Sequence, residues 1–322
     1  MRSKGEWVVL EYNAVMRANS ILVDAGVKRA LSRSAPVVAL ESTVITHGLP
    51  APQNLGLARR MEAEVRAAGA VPATIALLDG AIRVGLSQAD LERLAKLSAP
   101  MKLGRRELAA AVTKGWSGGT TVAATMQIAS AAGIRILATG GIGGVHREDP
   151  TDVSGDLPAL AEIPMLVVSA GIKAILDLPA TLEKLETFSV PIVGYQTDEF
   201  PAFYCRGSGR AVTLRLDSPG EVAAFARSHW RLGNRSGILI ANPIPRADEI
   251  PQAVIEPILS QASEAARQQG VHGPGLTPFL LERVRQATKG RSVEANLALL
   301  LNNATVAAQI AAAMVKARSR TV

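Results

Sequence analysis

Short apolar runs alternate along this chain with segments whose apolar residues recur every three or four positions. The runs predict buried strands, and the helical spacing predicts amphipathic helices. Strands are expected at residues 36–43, 71–78, 81–86, 134–139, 164–169, 191–194 and 237–241. Helices are expected at residues 21–31, 54–68, 88–97, 157–162, 179–187 and 221–231, and three more close the chain. This alternation predicts a layered α/β protein.

Composition favours one large domain with an aliphatic core. The 322 residues are 48% hydrophobic but only 3% aromatic, which is typical of aliphatic strands packed closely against alanine-rich helices. Cys205 is the only cysteine, so an intrachain disulfide is excluded and a reducing compartment is favoured. We expect no apolar run long enough to span a membrane and no cleavable leader, and therefore a cytoplasmic protein.

The net charge of +7 raises the question of nucleic acid. The basic residues are dispersed, however, and few aromatic side chains accompany them to stack on bases. A small anionic substrate explains the charge better than a nucleic acid does. Lys102 is the favoured phosphate partner because it directly follows the apolar pair Pro100–Met101, whereas Arg105 and Arg106 are expected on a solvated face.

Glu41 is the first candidate for chemistry, because it ends an apolar strand. Open parallel sheets place their ligands beyond the carboxyl ends of strands, and burial there favours the protonated carboxyl that a general acid needs. A structural carboxylate bonded to the next loop is an equal alternative. His47 follows in a proline-rich loop without a partner at metal-ligand spacing, so we expect it to form part of a wall.

Two glycine-rich segments predict close approach of the backbone to a ligand. In "GGTTVAATM" a glycine turn opens a helix with Thr120 or Thr121 near its N-cap, and free N–H groups at such a start attract anions. In "ATGGIGGVHR" the spacing is a poor match to a dinucleotide-binding turn, and no acidic residue follows at the required distance. We therefore exclude a dinucleotide site.

The segment "EDPTDVSGDL" is rich in oxygen ligands. Such a loop suits Mg²⁺ or Mn²⁺ with waters retained, although aspartates more often cap helices. Ser154 or Asp156 would cap the helix at 157–162, which leaves Asp152 as the candidate metal ligand.

Lys173 follows a buried strand and small residues in "SAGIK". Desolvation at such a position makes the neutral amine available as a nucleophile, and the alternative is a lysine that extends from the sheet edge into water. In the last helix, Asn296, Asn302 and Asn303 interrupt an apolar face. Buried amides need partners, so at least one is expected to reach a site or another subunit.

Eight ordered motifs resemble the pseudouridine-5′-phosphate glycosidase family, also called indigoidine synthase A-like. They are "ALESTVITHGLPAPQN", "GGTTVAATM", "ATGGIGGVHR", "VVSAGIKAILD", "GYQTDEFPAFY", "ANPIP", "TPFLL" and "ANLALLLNNA". The resemblance implies a single domain at residues 18–318 after an N-terminal extension at 1–17. It further implies a three-layer α/β/α fold with a mostly parallel central sheet, a homotrimer and Mn²⁺ as cofactor.

The implied reaction splits pseudouridine 5′-phosphate reversibly with water into uracil and ribose 5-phosphate. By the resemblance, Glu41 is the proton donor, Lys173 the nucleophile and Asp152 the Mn²⁺ ligand. The implied substrate contacts are Lys102, Val122, Ser154, Gly155, Asp156 and Asn296. Gly155 departs from the alanine usual in the family, which puts affinity in doubt more than activity.

A C-glycoside has no heteroatom leaving group, so hydrolysis by two carboxylates is a poor route. Attack by a lysine amine on C1′, with opening of the ribose to a Schiff base, would weaken the bond to uracil. Two other classes stay open: a Schiff-base aldolase or lyase acting on another sugar phosphate, and a sugar-phosphate- or RNA-binding protein without catalysis.

Overall fold

The centre of the sheet forms from four-residue apolar runs that are buried at every position. Val37–Leu40, Leu166–Ser169 and Ile238–Ala241 are of this kind, as expected for parallel strands covered on both faces. The computed structural model describes residues 21–49, 51–147, 149–271 and 275–318. The extension expected at residues 1–17 lies outside this range.

Eleven strands form one sheet, and two short strands pair separately. The strands are β1 (Ile21–Val23), β2 (Val37–Leu40), β3 (Val71–Leu78), β4 (Ala81–Val84), β5 (Met101–Leu103), β6 (Gly118–Thr120), β7 (Ile136–Ala138), β8 (Val145–His146), β9 (Leu166–Ser169), β10 (Leu176–Asp177), β11 (Ile192–Tyr195), β12 (Leu214–Leu216) and β13 (Ile238–Ala241). The sheet order is β1-β4-β3-β2-β7-β9-β13-β11-β12, and β6 joins β3 to β5. Within the eleven-stranded sheet the described strands pair in parallel, except that β4 and β6 each pair antiparallel with β3.

Helices cover both faces of the sheet. They are α1 (Ala25–Ser32), α2 (Gln53–Ala67), α3 (Gln88–Ala95), α4 (Leu108–Lys114), α5 (Val122–Ala131), α6 (Asp156–Glu162), α7 (Leu178–Thr187), α8 (Pro219–Arg231), α9 (Gln252–Gln268), α10 (Leu276–Ala287) and α11 (Arg291–Arg318). In one layer α11 packs against α2, α8 and strands β2, β7 and β9, while in the other α5 packs against α6 and strands β2 and β3. The expected α/β/α architecture is confirmed.

The prediction of a helix at residues 21–31 is wrong for the first turn. Ile21–Val23 is an edge strand paired with β4, and the helix begins at Ala25. Asp24 accounts for the boundary, because its carboxylate accepts hydrogen bonds from the N–H groups of Gly26 and Val27 as an N-cap does. A run of three apolar residues is compatible with a helix or a strand. Here, pairing with a strand distant in sequence makes it a strand.

The hairpin expected at Asp79–Gly80 is confirmed, and both residues have positive φ, as a tight two-residue turn requires. Five further strands, β5, β6, β8, β10 and β12, were not predicted. Met101–Leu103 pairs with Gly118–Thr120, which in turn pairs with β3. Glycines carry no strand signal, so sequence pattern alone assigned this segment to a turn.

Helix α11 corrects the expectation that no apolar run reaches membrane-spanning length. Residues Arg291–Lys316 are long and apolar enough to cross a membrane by length and composition. Half of the most apolar window is nevertheless buried inside the protein, and the helix packs on α2, α8 and α10 and on three strands. Its hydropathy is that of a core helix.

Truncation of a leucine side chain buried in a central strand should lower the free energy of unfolding much more than truncation of an exposed leucine. Leu239 in β13 is fully buried, whereas Leu232 is 82% exposed. Leu239→Ala is expected to lower the free energy of unfolding by about 2–5 kcal/mol, and Leu232→Ala by less than about 0.5 kcal/mol. Urea denaturation followed by circular dichroism measures both. Equal losses would contradict the placement of β13 at the centre.

Candidate active site

Glu41 directly follows β2 and is almost completely buried, with 5% of its surface exposed. Its Oε2 accepts a hydrogen bond of 2.6 Å from the Thr43 hydroxyl, and its Oε1 accepts one from the Thr139 hydroxyl. Thr139 directly follows β7, the neighbour of β2 in the sheet. The two hydroxyls supply the hydrogen bonds that a buried carboxyl group needs.

A buried hydroxyl cluster anchors the residue after Glu41. The Ser42 hydroxyl donates to the carbonyl of Ile75 in β3 at 2.5 Å, and it accepts from the Thr120 N–H at 2.9 Å. The Thr120 hydroxyl donates to the same carbonyl at 2.7 Å. These bonds join β2, β3 and β6 beneath the carboxyl group and fix the backbone that carries it.

Lys173 lies beyond the carboxyl end of β9, in a turn that depends on Gly171. Gly171 has a φ of +86°, and a Cβ there would overlap the Pro201 carbonyl, so only glycine fits. The Lys173 N–H then donates to the carbonyl of Ile142 at 3.0 Å. This pairing joins the lysine turn to the glycine-rich segment after β7.

Glu41 and Lys173 line one open cavity, whose empty space is about 750 Å³ when the part open to solvent is included. Lys102 and Asn296 line the same cavity, so four of the residues selected from the sequence meet there. The other lining residues are Thr43, Val44, His47, Gly48, Gly140, Gly141, Ala174, Ile175, Phe203, Tyr204, Thr277, Leu281, Val284 and Leu300. Two lysines and a buried acid among apolar walls suit a small anionic ligand.

Lys102 lies in β5, where it pairs with Gly119. Its side chain is accessible because the cavity is open, yet the surrounding protein lowers the pKa of its ammonium group by desolvation. Lys173 lowers that pKa further by repulsion, and the carboxylates of Asp156, Glu41 and Asp152 oppose the change. These five titratable groups therefore lie within one region.

His47 is a wall residue, as expected. It lies in a π-helical turn, Val44–Gly48, and its Nδ1 is 2.7 Å from the Thr46 hydroxyl. Desolvation lowers the pKa of His47, and the nearby charge of Lys102 lowers it further. A neutral imidazole is thus favoured beside the cavity at neutral pH.

The N-terminal end of α5 is occupied by a carboxylate of the protein itself. Asp156 is buried, and its two oxygens accept from the N–H groups of Ala123 at 2.9 Å and Gly143 at 2.8 Å. Thr121 is the N-cap, as expected, and accepts from Ala124. Asp156 therefore does not cap α6; it ties the glycine-rich turn to α5 across the chain.

The remaining residues proposed for substrate contact lie around Asp156. The Ser154 hydroxyl accepts from the Asp156 N–H at 3.2 Å, while the Val122 side chain is buried in the core. Gly155 has an ordinary helical φ of −62°, and no atom lies within 4 Å of where a Cβ would stand. An alanine at this position would fit without any shift of the backbone. None of these residues lines the 750 Å³ cavity.

Asp152 is half exposed, and its Oδ2 lies 3.8 Å from Nε2 of His146. The His146 N–H also donates to the Asp152 carbonyl at 3.1 Å, which holds the two residues side by side. In the part of the chain that the structure describes, no group of three or more His, Cys, Asp and Glu side chains could hold a metal ion. One carboxylate with a neighbouring imidazole suits only a cation that keeps most of its waters.

Phe203, Tyr204 and the three asparagines of α11 contribute to both the core and the cavity. Phe203 and Tyr204 are buried in an edge-to-face pair, yet both also line the cavity. Asn302 donates to the Pro243 carbonyl at 3.2 Å, and Asn303 donates to the Thr139 carbonyl at 2.8 Å. Asn296 alone of the three lines the cavity.

Sequence reasoning missed Thr43 and Thr139. Thr43 is two residues from Glu41 in the segment "LEST" and could have been noticed there, because short hydroxyl side chains hydrogen-bond to neighbours in sequence. Thr139 is 98 positions away and carries no local signal. Only the pairing of β2 with β7 brings it to the carboxyl group.

The family model for indigoidine synthase A-like proteins matches residues 26–313. A pseudouridine-5′-phosphate glycosidase of Paracoccus denitrificans (strain Pd 1222) is 54% identical over 290 residues, which cover 89% of this chain and 95% of the relative. Another, of Methylobacterium nodulans, is 54% identical over 295 residues, with 91% of this chain and 88% of the relative covered.

A solved structure shows the same fold. The prealnumycin C-glycosynthase AlnA in complex with ribulose 5-phosphate superposes with a TM-score of 0.87 at 37% identity, covering 94% of this chain and 99% of that one. Sequence and fold thus agree over nearly the whole length. This chain belongs to the indigoidine synthase A-like family.

Proposed function

We propose that this protein cleaves the C–C glycosidic bond of pseudouridine 5′-phosphate with water, giving uracil and ribose 5-phosphate. The observation that carries the proposal is the single cavity lined by Glu41, Lys102 and Lys173. Relatives 54% identical over about nine-tenths of the chain bear the name of this activity. An acid, an amine and a second cation are the groups that the reaction needs.

In the first step the neutral amine of Lys173 attacks C1′ of the ribose. The N–C1′ bond forms, the C1′–O4′ bond breaks, and O4′ takes up the proton that the lysine nitrogen loses. The ribose is then an open chain that carries both the lysine nitrogen and uracil on C1′.

In the second step the carboxyl group of Glu41 donates its proton to C5 of uracil. The C1′–C5 bond breaks, and the electron pair of the lysine nitrogen forms a C=N bond to C1′. Uracil leaves, and water hydrolyses the imine to release ribose 5-phosphate and restore the amine. The bonds from Thr43 and Thr139 hold the Glu41 carboxyl in one orientation for this transfer.

Lys102 supports binding of the 5′-phosphate. Its charge lies in the same cavity as the nucleophile, and a second cation near the phosphate favours an anionic substrate. The name of AlnA, a C-glycosynthase, also supports the reverse direction, in which the same groups would form a C–C glycosidic bond.

The described residues fit a hydrated Mn²⁺ at Asp152, with the imidazole of His146 beside it. When bound, such an ion supplies positive charge that favours a phosphate ligand. The homotrimer implied by the family resemblance and the cytoplasmic location expected from the sequence stay predictions.

Lys173 should form a covalent adduct with the product. Ribose 5-phosphate has an open-chain aldehyde, which the amine captures as an imine, so borohydride is expected to fix one sugar phosphate on the peptide that contains Lys173. Peptide mass spectrometry locates the adduct. Lys173→Ala should lose both adduct and turnover, whereas Glu41→Gln should lose turnover and keep the adduct. Full activity in Lys173→Ala would remove the covalent mechanism.

Lys102 should determine the alkaline side of the pH profile. Its pKa is lowered from the ordinary value for lysine, so its charge is lost as pH rises through that lowered value, and kcat/KM for the 5′-phosphate should fall there. In Lys102→Arg the fall should move to higher pH, because guanidinium stays charged. The profile should not change for Lys114→Gln, an exposed charge at the end of α4.

Loss of Lys102 should also weaken the preference of the protein for pseudouridine 5′-phosphate over free pseudouridine. Lys102→Ala is expected to lower kcat/KM for pseudouridine 5′-phosphate roughly 10- to 100-fold, with little change for free pseudouridine. Thermal unfolding serves as the control for folding. Unchanged discrimination between the two substrates would exclude Lys102 as the phosphate partner.

Asp152→Ala should abolish the Mn²⁺ dependence of activity and leave the fold intact. Binding is measured directly from the loss of the electron paramagnetic resonance signal of free Mn²⁺. Asp149→Ala is the matched control in the same loop, because the Asp149 carboxylate already accepts from the hydroxyl and N–H of Thr151. Undiminished Mn²⁺ binding in Asp152→Ala would contradict the assignment.

A further inference from the structure

Asn303 lies in α11 where this helix crosses the carboxyl ends of the central strands, and its side chain is completely buried. Its amide Nδ2 donates to the carbonyl of Thr139 at 2.8 Å and lies 3.4 Å from the carbonyl of Gly140. Its Oδ1 accepts from Nδ2 of Asn242 at 2.8 Å. Both ends of the amide are thus engaged, so its orientation is fixed.

Thr139 connects this amide to the proposed acid. Its N–H donates to Val168 in β9 at 3.0 Å, its carbonyl accepts from Asn303, and its hydroxyl donates to Oε1 of Glu41. A threonine side chain has few rotamers once its backbone is fixed. The direction of the hydroxyl, and with it the position of the carboxyl group, therefore depends on how the Thr139 backbone is held.

Asn242 extends the same network to the next strand. It directly follows β13, and its N–H donates to the carbonyl of Ser169, the last residue of β9, at 2.8 Å. Lys173 lies four residues beyond Ser169. The pair Asn242–Asn303 thus joins the strand end that supports the acid to the strand end that leads to the nucleophile.

We propose that Asn303 is a positioning residue for the Glu41 carboxyl group and acts through Thr139. This inference rests on the proposed function, since it matters only if Glu41 donates the proton to uracil. Asn303 does not line the cavity, so it holds the acid in place without touching substrate.

Asn302 supplies a matched control. It is the neighbouring residue of the same helix and also donates its amide to a backbone carbonyl, that of Pro243. Within the described residues, the Asn302 side chain bonds the Pro243 carbonyl and neither Thr139 nor Glu41. Asn302→Ala therefore removes the same kind of hydrogen bond from the same helix while the support of the acid remains.

The first experiment compares Asn303→Ala with Asn302→Ala. In Asn303→Ala we expect kcat for pseudouridine 5′-phosphate to fall roughly 10- to 100-fold, because a small displacement of a catalytic group has effects of this size. KM should stay within about twofold, and borohydride should still fix ribose 5-phosphate on Lys173, since imine formation does not use the acid. Asn302→Ala should keep kcat within about twofold of wild type. Equal kcat in the two variants, or loss of the adduct in Asn303→Ala, would overturn the proposal.

The second experiment is a double-mutant cycle with Thr139→Val, which keeps the shape of the side chain and removes its hydroxyl. If Asn303 acts through Thr139, the double variant should be no slower than Thr139→Val alone, whereas independent roles would multiply the two losses. Should Asn303→Ala fail to fold, Asn242→Ala removes one partner of Asn303 and leaves Thr139 untouched. It should then lower kcat by about three- to tenfold with the adduct retained, and a wild-type kcat would count against the proposal.

These outcomes are distinct from failure of the proposed function. Full turnover in Glu41→Gln or in Lys173→Ala would remove the acid or the nucleophile itself. If both of those variants are inactive and Asn303→Ala behaves like Asn302→Ala, the proposed function stands and only the positioning role is lost.

Discussion

The parallel alignment of four neighbouring strands is the constraint on which the site depends. Strands β2, β7, β9 and β13 lie side by side and run in the same direction, so their carboxyl ends meet at one edge of the sheet. Glu41, Thr139 and Asn242 directly follow three of these strands, and the turn that carries Lys173 follows the fourth. Glu41, its hydroxyl partner Thr139 and Lys173 thus converge from segments that are distant in sequence.

Two buried carboxyl groups near this edge are satisfied in different ways. Asp156 accepts from two backbone N–H groups, which fixes the glycine-rich turn against α5. Glu41 accepts from two threonine hydroxyls and also lines the cavity. A buried carboxyl without such partners would be costly. Asp156 is thus held by backbone donors away from the cavity, whereas Glu41 is held by side-chain hydroxyls at its wall.

Helix α11 combines the packing of the core with the support of the site. Its apolar residues fill the space between α2, α8 and the sheet, which accounts for a hydropathy as high as that of a membrane span. Its three asparagines interrupt that surface where strands end: two bond backbone carbonyls beyond β7 and β13, and the third faces the cavity. The three asparagines of this apolar helix thus lie where it meets strand ends or the cavity.

The sequence by itself determined the α/β class, most of the elements, the hairpin at Asp79–Gly80 and the presence of Glu41 and Lys173 at strand ends. These features are local, because apolar runs, turn residues and caps act within a few positions of the chain.

Only the tertiary structure decided which side chains hold the site together. Glu41 and Thr139 are 98 positions apart, and Asn303 and Thr139 are 164 apart. The pairing of Met101–Leu103 with a glycine-rich strand, which brings Lys102 to the cavity, is also a contact between distant segments. A hydrogen bond between such residues leaves no periodic signal in either segment, because strand order and helix packing alone set the distance between them.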